Sequence, residues 1–329
     1  MNTKRAFTLV EILTVIVIIS ILAALVTLAV AGAIRSAKRA KIGWEMSQIA
    51  MALELYKGEF GEYPPDMFDI DAVVSHAKSR WPLLDFSLLP GYPGGSVPLT
   101  RQQEALLIQR AITQTYQTYH PSVDFTQTNA PLAALALWLG GFPNSDGKLS
   151  GFGANPANPF DVTTGYDGKA FLDLELGGKR VRIYNPPNGG PPIPVIGNEI
   201  RDVFVPIVYF KGKSSGGPDA YNPLQQVVTD HQSGSLDDPQ YDWCFPYADT
   251  VTRNAGGNIT GGTWKNPTKY QLIHPGLDGK FGKRRTSQNT LPGALNAVRV
   301  ISTGDNVDAQ DLDNIMNFSD YKELKSILP

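Results

Sequence analysis

The first forty residues carry the strongest pattern in the chain. From Ile12 to Ile34 no side chain is charged and nearly every one is apolar. At 1.5 Å per residue this run makes a helix of roughly 34 Å, enough to cross a hydrocarbon layer of about 30 Å. Beyond Ile34 the pattern changes from continuous to periodic. Ile42, Met46, Ile49, Leu53 and Tyr56 recur at helical spacing, with Lys41, Glu45 and Gln48 off that stripe, which predicts continuation as an amphipathic helix whose apolar face packs on a sheet. Gly58 and Gly61, followed by Tyr63-Pro64-Pro65, predict its end near residue 58.

Further along, the periodicity predicts a helix over Thr100 to Tyr119, with Thr100 and Gln103 as a capping box and Ala105, Ile108, Ile112, Tyr116 and Tyr119 as its inner face. A short apolar helix follows from Pro131 to Leu139, closed by Gly140-Gly141 and too short to span a membrane. Residues 140–199, rich in Gly, Pro and Asn, read as loops with short strands. Val203 to Phe210 and Lys269 to His274 read as strands, with Pro206 marking an edge or bulge. The fold class expected is α+β, one long helix packed on a small antiparallel sheet.

Composition narrows the function. Among 329 residues the formal net charge is -2, which argues against a nucleic-acid partner, since that would need a basic surplus. The single cysteine, Cys244, excludes an internal disulfide and any multi-cysteine metal site. The charges around the apolar run are less simple. Lys4 and Arg5 precede it, yet Arg35, Lys38, Arg39 and Lys41 follow, so a count of positive charges alone favours the opposite orientation to a cytoplasmic N-terminus. A cleavable signal peptide is the alternative, with Ala29-Val30-Ala31 as its cut site, but the apolar run exceeds the usual 7–15 residues and Glu11 has no use there.

Glu11 is a carboxylate at the entrance of an apolar helix, and intramembrane carboxylates usually have partners. It stands in Lys4-Arg5-Ala6-Phe7-Thr8-Leu9-Val10-Glu11, which resembles the prepilin leader of type IV pilins and type II secretion pseudopilins. The resemblance implies a leader of residues 1–6, cleavage by prepilin peptidase between Ala6 and Phe7, and N-methylation of Phe7; the family has Gly where Ala6 stands, and Ala6 keeps the small size. It further implies a membrane and assembly half over 7–34, an amphipathic half over 35–58, and a pilin-like head over 59–329 with an insertion at about 66–199. Glu11 then pairs with the Phe7 amine of a neighbouring copy. The expected partners are copies of the chain, other pilin-like subunits, the prepilin peptidase, the inner-membrane assembly platform and membrane lipid. The expected location is the inner membrane with the head in the periplasm, and afterwards a fibre. A secretion pseudopilus is the leading reading, a type IV pilus the alternative.

Two further motifs bear on chemistry. Gly276-Leu277-Asp278-Gly279-Lys280 resembles the calcium loop of the major pseudopilin, implying Ca2+ on Asp278, Asp311 and Asp313; Asp305 and Asp308 lie in the same acidic stretch. Against it, Lys283-Arg284-Arg285 follows the loop, and Asp-Gly-Lys recurs at 146–148 and 167–169 as an ordinary turn. Gly212-Lys213-Ser214-Ser215-Gly216 matches a nucleophile elbow, but Gly217-Pro218-Asp219 cannot open the helix that an elbow requires. His231 and His274 lie downstream with nothing to fix their geometry, so a membrane-tethered hydrolase is the weaker reading and no catalytic residue is assigned.

Overall fold

The computed structural model describes residues 8–95, 98–126, 130–186, 190–200, 202–213, 221, 227–230, 242–253, 259–282, 299–302, 307 and 311–328. It is α+β. Helix α1, Leu9–Phe60, is continuous for 52 residues. Within its apolar part Thr14, Ser20 and Thr27 each donate to the carbonyl four residues earlier, so these hydroxyls are satisfied inside the helix, as a lipid environment requires. The large apolar side chains from Ile12 to Val26 are exposed, and no part of the head covers them.

The helix passes through Gly58 and stops at Gly61, which takes φ 80° and donates its N–H to Lys57 O at 2.8 Å. Gly58 does not end it because Phe60 anchors the last turn, packing on Tyr56 and Phe171 with ring centroids 4.7 and 5.7 Å away. Left-handed Gly61 then supplies the turn.

The expected stripe of Ile42, Met46, Ile49, Leu53 and Tyr56 is buried. It meets more than a sheet: α1 packs on helix α4, Ala130–Gly140, as well as on a strand of the head and the C-terminal segment. All eleven residues of α4 are buried, and it also packs against two strands. Burial on every side explains why its sequence has no polar face.

Helix α2, Ile70–Arg80, capped by Asp69, buries Val73, Val74, His76 and Ala77 along one face. Helix α3, Arg101–Gln117, carries the expected box: Thr100 Oγ1 accepts from Gln103 N and Gln103 Oε1 from Thr100 N. The strands are β1 (Val181–Tyr184), β2 (Ile193–Ile200), β3 (Val203–Pro206), β4 (Val208–Lys211), β5 (Val227–Asp230), β6 (Asp242–Cys244), β7 (Tyr247–Arg253), β8 (Ile259–Trp264), β9 (Tyr270–His274), β10 (Arg299–Val300) and β11 (Ile315–Met316). They form small sheets in the orders β1-β2-β3, β10-β7-β8, β11-β9-β4 and β5-β6, antiparallel except for β10 with β7.

The single strand expected over Val203 to Phe210 is two. Pro206 ends β3, paired to β2, and Val208 begins β4, paired to β9. Proline cannot continue a ladder as donor, and the chain uses it to change sheets.

Where α2 meets the end of α1, a polar cluster replaces apolar packing. His76 lies 2.7 Å from Glu62 Oε1 through Nδ1 and 2.6 Å from Tyr56 Oη through Nε2. A carboxylate only accepts, so Nδ1 carries the proton and Nε2 accepts from the tyrosine hydroxyl. Arg80 donates to the same hydroxyl at 3.1 Å, pairs with Asp167 at 3.7 Å, and lies over the rings of Phe152, Phe60, Trp81 and Tyr56 at 4.3, 4.4, 4.6 and 5.4 Å.

Burial holds the His76 imidazole below its usual pKa, against the opposing pull of Glu62, and pushes that of His274 down to about 3. Glu62 is lowered to about 2, chiefly by its bond to His76. Each of these groups binds fewer protons folded than unfolded, so stability falls as pH drops below about 6.5. Asp66, raised to about 6 by burial, works the other way between its ordinary value and 6. We expect the melting temperature to fall between pH 7 and pH 5, and the fall to be shallower in His274→Leu. An identical slope in that variant would remove His274 from the acid sensitivity.

Candidate functional site

At its N-terminal end, α1 is capped by Thr8. Its Oγ1 accepts from Glu11 N at 3.3 Å, and the Glu11 carboxylate accepts from Thr8 N and from Thr8 Oγ1, both at 2.8 Å. This is a complete capping box, and the Thr-x-x-Glu spacing ahead of an apolar run is the signal that could have identified Thr8 as Glu11's partner. Negative charge on the first turn also suits the positive end of the helix dipole. Glu11 therefore has a task within its own chain, satisfying the terminal N–H of Thr8. Ala6 and Phe7, the expected cleavage and methylation positions, lie outside the described residues.

The three aspartates proposed for calcium do not converge. Asp313 Oδ2 accepts from the N–H groups of Leu277 and Asp278 at 2.8 and 3.1 Å, which folds the 276–278 turn onto it. Gly276, at φ 66°, is required there: a Cβ would collide with Asp313. Burial raises the pKa of Asp313. Asp278 accepts from Lys280 N at 2.8 Å.

Asp311 instead faces inward. It forms a buried ion pair with Arg299 and accepts from Tyr247 Oη at 3.3 Å. Asn314 Nδ2 completes the cluster, donating to Phe281 O at 3.0 Å and to Tyr247 Oη at 3.1 Å. A guanidinium already neutralises Asp311, so the donor set does not fit a dication held by all three carboxylates. Among the described residues, no three His, Cys, Asp or Glu side chains come together as a metal cluster. Asp305, Asp308 and the basic triplet at 283–285 lie outside the described residues.

Ser214, Ser215 and His231 also lie outside them. His274 is buried in β9, where its Nδ1 accepts from Gly276 N at 3.0 Å. The Tyr56–His76–Glu62 relay has the atom order of an acid–base system, yet Tyr56 is 0% and His76 1% exposed. A reacting group could not reach either side chain.

A family model described as the prokaryotic N-terminal methylation motif matches residues 1–27. The span it covers holds the basic tail, the Ala6-Phe7 junction, Glu11 and the first part of the apolar run. The chain is also 37% identical over 75 residues to the type II secretion system core protein G of Klebsiella pneumoniae. The match covers 23% of this chain and 54% of the relative, so the chain spans about half the length of the curated relative it matches. No solved structure matches it. Its long N-terminal helix and small antiparallel sheets are the pilin arrangement, enlarged here by the helices α2, α3 and α4.

Proposed function

We propose that the chain is a structural subunit of a type II secretion pseudopilus, anchored in the inner membrane by the first half of α1 with its head in the periplasm. Prepilin peptidase cleaves between Ala6 and Phe7 and methylates the Phe7 amine, and α1 then packs against α1 of other copies and of related subunits on an inner-membrane platform. The observation carrying this reading is the lone carboxylate of Glu11 in the first turn of a 52-residue helix whose opening half is exposed and apolar. The name of the Klebsiella relative favours secretion over adhesion. So does the cysteine count, because a disulfide-closed C-terminal loop cannot form with Cys244 alone.

The Glu11 carboxylate, held by Thr8 in the single chain, is the acceptor for the new amine of a neighbour. Contacts of this kind are head-to-tail, so they propagate into a filament and do not close.

Mass spectrometry of the mature protein tests the reading at its first step. The expected N-terminus is methylated Phe7. A start at Gly32 would identify a secreted protein released from a signal peptide and overturn the anchored reading.

A further inference from the structure

The junction between the apolar half of α1 and the head holds a cleft of about 940 Å³. Its floor begins at Ala31 and Ile34, the last residues of the apolar run. One wall is the next two turns of α1, bearing Arg35, Lys38, Arg39 and Lys41; the facing wall bears Lys179 and Arg180 from the turn before β1.

The cations and carboxylates in this cleft are not evenly matched. Glu45 is taken by Asn198 and lies 3.8 Å from Lys41; Glu199 pairs with Arg182 at 3.0 Å. Asp278 and Asp313 accept backbone N–H groups. Arg39 pairs with Glu323. Among the described residues Arg35, Lys38 and Lys179 have no ion-pair partner. Arg180 donates to neutral Gln48 at 3.0 Å, and its Nη2 is buried without a hydrogen-bond partner. Four cationic groups thus face one space against the two carboxylates of Asp278 and Asp313, whose backbone bonds leave their charge in place, so the cleft keeps a surplus of positive charge.

Their height relative to the membrane identifies the missing anion. Arg35 and Lys38 lie about 1.5 and 6 Å beyond Ile34 along the helix, within a headgroup layer of roughly 5–8 Å. We propose that this cleft seats the phosphate of an anionic phospholipid in the leaflet nearest the head. Arg35 and Lys38 reach it from the helix, and Lys179 and Arg180 close over it from the head. The lipid thereby ties the head to the membrane surface and orients it about α1. This rests on the reading of residues 12–34 as a membrane span.

The test is native mass spectrometry of the full chain in detergent, titrated with phosphatidylglycerol or phosphatidylcholine. Wild type should retain phosphatidylglycerol preferentially. Lys38→Gln should weaken retention about five-fold, and Arg35→Gln with Lys38→Gln and Lys179→Gln by about five-fold for each cation removed. Thermal melts confirm that the variants are folded, and exposed Lys38 keeps the test open should the triple variant not fold. Equal retention of the two lipids, unchanged retention by Lys38→Gln, or equally effective displacement by millimolar inorganic phosphate would overturn the proposal. Carbonate extraction from liposomes separates this from failure of the anchor. Protein that stays embedded but shows no headgroup preference refutes the cleft alone, whereas protein that is extracted refutes the span and the cleft with it.

Discussion

Glu11→Gln is expected to leave the membrane-anchored subunit intact and to stop fibre assembly. The two roles assigned to this side chain make different demands. Capping requires an acceptor for Thr8 N–H, and a Gln amide oxygen supplies one at the same reach. Pairing with a neighbour's amine requires charge, which Gln lacks. In hydrocarbon the unpaired ammonium of the next subunit is costly, so loss of charge removes both the attraction and the compensation for burying the amine. Glu11→Ala loses the cap as well, so its first helical turn should fray in addition. The measurement is fibre yield in a sheared fraction, beside carbonate extraction of the membranes. Wild-type yield from Glu11→Gln together with loss in Glu11→Ala would assign Glu11 to the cap alone.

Arg80→Ala is expected to destabilise the head by about 3–5 kcal/mol, because it empties the buried site of the guanidinium, removes its bond to Tyr56 and its pairing with Asp167, and takes the cation from four aromatic faces. For a head of this size the melting temperature should drop on the order of 10 °C. Arg80→Lys should recover only a small part, since an ammonium keeps the charge but neither stacks as a plane nor reaches Tyr56 and Asp167 together. Full recovery in Arg80→Lys would show that charge, not the planar contact, holds α2 to the end of α1. Circular dichroism melts of the full chain in detergent decide between them.

Features set by near neighbours were legible in the sequence. The stripe on α1, the Thr100–Gln103 box and the glycines closing α4 are all written within a few turns, and the helix ladder enforces them. Features that depend on distant partners were not. His76 meets Tyr56 from 20 residues away, and Arg80 meets Asp167 from the far side of α3 and α4; nothing local marks these residues as a cluster.

Asp311 shows the same limit in the other direction. Its acidic neighbourhood in sequence suggested a cation site, and its cation is Arg299, brought in through β10. The split at Pro206 falls between, since the proline marked an irregularity without saying that two sheets meet there. Thr8 belongs with the legible features: its hydroxyl stands at capping-box spacing from Glu11, although the charge on Glu11 points first to a partner outside the chain.

Helix α1 contains no proline between Leu9 and Phe60. At 1.5 Å per residue the part of it beyond the buried stripe, from Ile42 back to Glu11, is a lever arm of roughly 47 Å, with the head clamped to its base and Glu11 at its tip. A tilt of about 5° in the clamp sweeps the far tip through roughly 4 Å, most of a helical turn. Packing of the buried stripe against α4 and β9 therefore sets an angular tolerance, and a head substitution that loosens this seat would misplace Glu11 without touching it.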